Sequence, residues 1–285
     1  MAEITKPQSS STTYIEITPP GRLEWPSLRD LYNYRELFYT LTWRDIRVLY
    51  KQTIIGAPWA VLQPLIMMAI YTFVFDTLLQ VPTTGDVPFP LSIFVALLGW
   101  NFFGNGVARA ASSIIGNGGL IRKVYFPRIL LPFSSIISGL ADLIPAFVLA
   151  VIFALIYGYP PTLNYLLLPI VLMLLVATTF GWALWLSALN AQYRDVNMAI
   201  PLLLQILFWL TPILYPADLL GETWRTFISI FPMTGVVEMF RWAIIGDIAM
   251  PPLHLLLISS ISAVVFIVGG ILYFQRAEKT FVDLV

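Results

Sequence analysis

The chain has 285 residues, of which 58% are hydrophobic and only 11% are charged. Soluble domains average about 45–50% apolar and about 25% charged residues, so this composition excludes an ordinary soluble enzyme and indicates an integral membrane protein. The net charge of zero is uninformative about nucleic acid, and no run of basic residues suggests that the chain binds it. Without cysteine and with one histidine, His254, the chain has no disulfides, no thiolate catalysis and no cysteine or histidine metal cluster.

A polar stretch and a basic amphipathic helix open the chain. Residues 1–30 are rich in Pro, Ser and Thr, lack the apolar core of a cleavable signal peptide, and are predicted to form a mobile cytoplasmic tail. In the next unit, residues 31–55, one helical face carries Tyr34, Leu37, Phe38, Leu41 and Val48. This pattern predicts a helix in the membrane plane with its apolar side toward the lipid boundary.

The remaining unit, residues 56–285, contains six long apolar stretches. They cover residues 58–79, 91–115, 129–157, 163–189, 198–215 and 253–274. About 20 helical residues, at 1.5 Å each, cross a hydrocarbon layer of ~30 Å. The sequence therefore predicts an all-α polytopic membrane protein with six transmembrane helices.

The basic residues orient these spans. Most of the sixteen Lys and Arg lie before the first stretch, in alternate connections, or after the sixth, which predicts that both termini are cytoplasmic. Residues 226–246 could be taken for a seventh span, but Pro232, Glu238 and Arg241 interrupt them, and a seventh crossing would place Arg276 and Lys279 outside. We expect two short re-entrant helices here instead, between spans five and six.

Two charged residues fall inside predicted spans. Asp142 costs at least ~2.5 kcal/mol to insert, so it needs a partner, and Arg109 is one candidate. Counted from the cytoplasmic ends, however, Asp142 lies ~20 Å deep and Arg109 ~10 Å. A structural tie between helices is favoured, and a proton or substrate relay is the alternative. Farther along, Glu238 and Arg241 share a helical face, which suggests either a local salt bridge or a polar pair at the outer mouth of a pathway.

The sequence lacks a phosphate-binding loop and the common catalytic motifs, so the chain alone is not expected to be an enzyme. Aromatic residues instead make up 14% of it. The deep aromatic residues could stack on sugar rings or could simply pack helices together. They are Tyr71, Phe75, Trp182, Trp185, Phe208 and Trp209.

Five phrases in order resemble the permease subunits of ABC-type polysaccharide exporters, above all those that export O-antigen. They are GAPW at 56–59 with QP at 63–64, NGGLIRKVYFPR at 117–128, QYRDV at 192–196, TPILYP at 211–216, and FPMT at 231–234 with EMFRW at 238–242. The resemblance extends from about Arg35 to the end of the chain.

The resemblance implies a six-span homodimer that pairs with two copies of a separate ATPase, which binds ATP and Mg. It implies an interface helix at the amino terminus and a short cytoplasmic coupling helix over residues 120–128. The expected ATPase-coupling residues are Leu120, Ile121, Arg122, Lys123, Val124, Tyr125, Phe126, Arg128, Tyr193, Arg194 and Asp195. Two interface-helix residues are expected to meet the lipid diphosphate, namely Arg44 and Arg47.

The implied function is outward movement of an undecaprenyl-diphosphate-linked polysaccharide across the bacterial inner membrane, past walls of aromatic side chains. Exporters of capsule, teichoic acid or other lipids are alternatives with similar permeases. An ion-coupled secondary transporter is less favoured, because it would need several intramembrane ionisable groups. A membrane-embedded glycosyltransferase would need an acidic metal motif, which the sequence does not contain.

Overall fold

The computed structural model describes residues 32–51, 58–83, 85–193 and 195–281. Across these ranges the fold is helical, without a β-strand, as the sequence predicts. Several predictions lie outside the described residues. They concern the tail 1–30, residues 31 and 52–55 of the interface-helix unit, residues 56–57 of the first phrase, and Arg194.

Eleven α-helices are numbered here in chain order across the described residues. They are α1 (Arg35–Tyr50), α2 (Trp59–Tyr71), α3 (Phe89–Gly116), α4 (Gly118–Ile121), α5 (Leu130–Ser138), α6 (Leu140–Ile156), α7 (Leu168–Gln192), α8 (Val196–Leu210), α9 (Glu222–Ile228), α10 (Pro232–Ile245) and α11 (Leu253–Glu278). Helix α2 continues as a π-helix over Thr72–Leu78, and 3-10 turns at Leu163–Leu167 and Ala217–Leu219 precede α7 and α9.

Helix α3 is the centre of the bundle. It packs against α2, α5, α6, α7, α8 and α10, and Phe94, Phe103 and Val107 on it are fully buried. The outer helices instead present large apolar side chains outward, such as Ile70 on α2 and Val264 on α11. An apolar exterior of this extent is what contact with lipid requires.

Glycines bring α7 and α11 into close contact. A Cβ atom on Gly270 would lie 2.9 Å from the carbonyl oxygen of Gly181, and one on Gly181 would lie 3.0 Å from the backbone nitrogen of Ile267. Small residues at such crossings let two backbones approach, which is how helices gain packing energy where no hydrophobic effect drives them together. This crossing fixes the rotation of α7.

Among the described residues, five segments are long and apolar enough to cross a membrane. They are Val61–Leu78, Phe89–Gly116, Leu130–Ile156, Leu163–Gln192 and Leu253–Glu278. The predicted fifth span, α8, has only 15 residues, or ~22 Å. Helices α9 and α10 are bent by 106° at the break between them, and counting that pair as one span raises the total to six. The all-α polytopic class is confirmed at this level.

The amphipathic helix α1 packs differently from the sequence expectation. Leu41 is buried, and Leu37 and Phe38 pack with it against a second apolar cluster that includes Phe126 and Phe274. Leu37, Phe38 and Leu41 of the apolar stripe therefore face protein instead of the lipid boundary, whereas Val48 of the same stripe is exposed. The reason is that α5 lies directly beneath α1 and covers it, a contact that sequence periodicity alone does not reveal.

Candidate functional site

A groove of about 450 Å³ runs between α2, α3 and α8. Aromatic rings form part of its wall, and amide side chains form another part. The aromatic residues are Tyr71, Trp100, Phe208 and Trp209, and the amides are Gln63, Asn101, Asn105 and Gln205. Rings and amides together can bind the two kinds of surface that a sugar presents, its C–H faces and its hydroxyls.

The aromatic wall is a connected cluster. The Phe208 ring stacks on Tyr71 with centroids 5.8 Å apart and meets Trp100 edge-on at 5.4 Å. Trp209 is edge-on to Phe208 at 5.8 Å and is 52% exposed. Phe75 touches Tyr71 at 6.4 Å and packs against the core behind the groove. The structure thus brings four of the six predicted aromatic residues together.

Trp182 and Trp185 lie elsewhere. The Trp182 ring stacks on Phe266 at 4.6 Å, and Trp185 stacks on Tyr273 at 4.9 Å. Trp185 also donates its indole N–H to the carbonyl of Phe266, 3.1 Å away. Both tryptophans therefore fasten α7 to α11. Their shared face was predicted correctly, but the glycine crossing turns that face toward α11.

A polar stripe on α3 was missed by the sequence analysis. Asn101, Asn105 and Arg109 are spaced by four, so they share one face of an otherwise apolar helix, and the stripe covers ~12 Å of its length. The spacing is visible in the sequence and could have indicated a polar cavity. Trp100 was missed as well, since one ring among many carries little signal.

Arg109 and Asp142 form an ion pair at one end of this stripe. Their side chains approach within 3.5 Å, and Tyr50 of α1 donates its hydroxyl to Asp142 at 2.7 Å. Burial is the main reason that the pKa of Tyr50 lies above its ordinary value, and the hydrogen bond to the Asp142 carboxylate raises the pKa further. Gly139 lies under the Arg109 guanidinium, which a side chain at that position would displace. Because Gly139 has no Cβ, the long Arg109 side chain can cross the ~10 Å difference in depth between Arg109 and Asp142 that was estimated from the sequence.

Polar contacts attach α1 along its length. Arg44 donates to the side chain of Asn117 at 2.8 Å, and the hydroxyls of Ser134 and Ser135 donate to Asp45 at 3.5 and 3.4 Å. Arg44 is also ion-paired with Asp45. The Arg47 guanidinium lies over Trp43, 5.3 Å from the ring centre. Of the two arginines predicted to meet a diphosphate, Arg44 is already held by protein groups.

The predicted coupling segment is an anchored loop. Its helical part, α4, ends at Ile121, so the expected helix over residues 120–128 is wrong beyond that point. Pro127 lacks a backbone N–H and disfavours helical geometry in the residue before it. Ile121 and Phe126 are buried in the second apolar cluster. The residues between these anchors are exposed, namely Arg122, Lys123, Val124 and Tyr125.

Contacts from two other elements hold this loop in place. The backbone N–H of Arg128 donates to the Glu278 carboxylate at 3.2 Å, and the Arg128 guanidinium donates to the Glu278 carbonyl. The Tyr34 hydroxyl donates to the carbonyl of Tyr125 at 3.3 Å. Arg128 is therefore part of the loop's base. Leu120 packs against the second apolar cluster.

The second predicted contact lies between α7 and α8. Tyr193 is 60% exposed, and Asp195 is exposed at the start of α8. Arg194 between them is outside the described residues.

The two charges of α10 each have a partner other than the expected one. Glu238 pairs with Arg225 of α9 at 3.3 Å, and Arg225 also pairs with Asp218. Arg241 donates to the carbonyls of Ser92, Pro212 and Ile213 at 3.2, 2.7 and 2.5 Å. Glu238 and Arg241 are both buried within the chain. Arg241 thus satisfies backbone groups that the break after α8 leaves unpaired.

Within the described ranges, no group of three His, Cys, Asp or Glu could hold a metal ion. The charged clusters in this part of the chain are arranged for tying helices together.

Comparisons of the sequence with a family model and with individual proteins agree on one family. The ABC-2 type transporter family matches residues 36–245. An O-antigen export system permease protein of Myxococcus xanthus is 28% identical over 88% of this chain and 96% of its own length. One from Klebsiella pneumoniae is 29% identical over 75% and 83%, respectively. The polysialic acid transport protein KpsM of Escherichia coli is 24% identical over 82% and 91%.

The Arg109–Asp142 pair predicts a measurable coupling. Changing Asp142→Ala leaves a cation without its partner, so it should destabilise the protein more when Arg109 is present than in an Arg109→Ala background. The expected coupling free energy is about 0.5–3 kcal/mol. Unfolding of the four proteins in mixed detergent micelles measures it. Strictly additive effects would contradict a direct pair.

Arg241 should not be replaceable by lysine. The three carbonyls are bound by three separate nitrogens of the guanidinium, which a single ammonium nitrogen cannot all replace. Arg241→Lys should therefore cost about 1–3 kcal/mol through unsatisfied acceptors. Arg225→Lys is the matched control, because its partners are carboxylates that an ammonium can also pair with. Melting temperatures in detergent compare the two variants. Equal losses would show that charge, and not the planar fork of donors, is what matters.

Proposed function

We propose, since the chain belongs to the ABC-2 type transporter family, that it is the membrane subunit of an ATP-driven exporter of lipid-linked polysaccharide. The observation that carries this proposal is the groove lined by rings and amides on a polytopic helical protein. Relatives named for O-antigen export and polysialic acid transport support a polysaccharide as cargo. O-antigen carried on undecaprenyl diphosphate is the favoured substrate, and capsule, teichoic acid or another lipid is the alternative.

The proposed topology places both termini in the cytoplasm of a bacterial inner-membrane protein. Helix α8 is then the fifth span, and α9 with α10 forms a re-entrant pair that enters and leaves from the outer side. The 106° bend supports this assignment, and so does the apolar burial of α10 behind α3. Because α8 covers only ~22 Å, the segment after it, held by Arg241, completes the crossing.

The groove suits a moving glycan. Ring stacking is weak and insensitive to sequence along a chain of sugars, so successive residues can exchange positions without a deep energy minimum. The groove is open on one side, and a second copy of the chain would supply the opposite wall. We therefore propose a homodimer with the translocation path along its axis.

Energy is proposed to come from a separate ATPase that binds ATP and Mg. The exposed part of the anchored loop, residues 122–125, would lie in a cleft of that subunit, with Tyr193, Arg194 and Asp195 as the second contact. Ile121 and Phe126 share one apolar cluster with α1 and α11. A push on the loop would therefore move the cytoplasmic ends of these helices together. Arg44 and Arg47 would lie beside the lipid diphosphate as it enters.

An ion-coupled transporter is the competing class, and the geometry disfavours it. Asp142, the intramembrane carboxylate such a mechanism would use, is ion-paired with Arg109 and bonded to Tyr50. A carboxylate that is held by two protein side chains ties helices together and is not open to a transported ion.

Export should depend on the groove aromatics. Trp209→Ala removes one stacking surface of about 0.5–1.5 kcal/mol, which corresponds to about two- to tenfold slower movement. Trp224→Ala is the control, since Trp224 is also exposed but lies on α9 outside the groove. Surface polysaccharide in cells carrying each variant is the readout. Unchanged polysaccharide in cells that lack this chain altogether would overturn the proposed function.

The loop should couple ATP hydrolysis in the ATPase to the membrane subunit. Arg122→Glu combined with Lys123→Glu reverses two charges on its exposed tip, so the ATPase should no longer copurify or should lose stimulation by the membrane subunit. Lys51→Glu provides a control charge reversal at the opposite end of α1 from Tyr34, the residue that contacts the loop. ATP turnover of the reconstituted complex measures the effect. Wild-type turnover and binding in the double variant would exclude this loop as the coupling contact.

A further inference from the structure

A second cavity branches from the groove toward α1 and α6. It has a volume of about 270 Å³ and is referred to below as the side chamber. Three amide residues line both spaces and therefore stand where they join, namely Gln63, Asn101 and Asn105. The chamber lining also includes Arg109, Asp142 and Tyr50, together with Gly139.

The three amides have unused hydrogen-bonding capacity. In the part of the chain that the structure describes, the side chains of Gln63, Asn101 and Asn105 make no hydrogen bond to protein, whereas most other polar side chains of the spans do. Each amide offers two donors and one acceptor oxygen. Polar side chains inside a membrane protein line water-filled or ligand-filled space because exposure to hydrocarbon is costly. These amides thus point to a polar occupant.

The rest of the lining defines the chemistry of that occupant. Trp59, Phe94 and Phe102 contribute rings, and the Arg109–Asp142 pair contributes both charges at 3.5 Å. Because Asp142 offsets Arg109, these two side chains carry no net charge. The chamber therefore lacks the unpaired cation that would attract a diphosphate. Paired charges, amides and rings together match a neutral ligand with many hydroxyls and apolar faces.

We propose that the side chamber is a subsite that holds one uncharged sugar residue of the passing glycan. The proposal rests on the proposed function and adds a place where a sugar leaves the main path. A residue seated there would hydrogen-bond to the amides at the junction and stack on the chamber rings. Its release would have to precede the next step of the chain, so the chamber would act as a register point along the groove.

Cysteine labelling tests this proposal cleanly, because the natural chain contains no cysteine. Two alanines are matched probes: Ala146 lines the side chamber and Ala108 lines the groove. Each is changed to cysteine in the full complex, and labelling by a small membrane-permeant thiol reagent is timed in cells. One strain makes the lipid-linked glycan; the other is blocked in glycan synthesis but keeps its polyprenyl phosphates.

The expected result is several-fold slower labelling at both positions in the glycan-producing strain. Protection of Ala108→Cys alone would overturn the side subsite and leave the proposed function intact. Protection at neither position, with both cysteines reactive, would count against the proposed function itself. Labelling of Ala146→Cys that is equally slow in both strains would also overturn the proposal, since the chamber would then be closed or filled by something other than glycan. Copurification of each variant with the ATPase checks folding.

Discussion

The ion pair between Arg109 and Asp142 is the interaction on which the junction of α1, α3 and α6 depends. A single charge in this position would be costly, but the pair offsets that cost and Tyr50 adds a third group. Three elements, α1, α3 and α6, are thereby held to one point. The side chamber exists because these helices meet through polar contacts instead of closing on one another with apolar side chains.

Sequence patterns predicted the helical class and the apolar segments, because hydrophobic length and charge distribution are local properties. Depth counting nevertheless made the Arg109–Asp142 contact doubtful, since it treated each side chain as fixed at its own Cα. It could not include Gly139, whose missing side chain opens a path for the long arginine. Pair contacts of this kind depend on three helices at once.

Helix rotation accounts for the other differences. In the sequence Trp182, Trp185 and Trp209 look alike, as tryptophans deep in predicted spans. In the structure Trp182 and Trp185 pack on α11, whereas Trp209 lies in the groove. The close contact between Gly181 and Gly270 sets the rotation of α7 and so decides which way its tryptophans face. Neither glycine can be recognised from the aromatic pattern of the sequence. Likewise, the apolar stripe of α1 looks the same in sequence whether it meets lipid or protein. Packing partners decide such cases, and they are distant in the chain.

The polar groups inside this apolar bundle fall into two kinds. Arg241 pairs with backbone carbonyls left open at a break, and Asn190 donates to the carbonyl of Ala111 between two long helices. Such groups stabilise the fold. The side chains of Asn101, which is half-buried, and Asn105, which is exposed, make no such bond among the described residues. A membrane protein keeps polar groups without internal partners only where water or cargo meets them. That contrast supports the proposed path of the cargo beside α3.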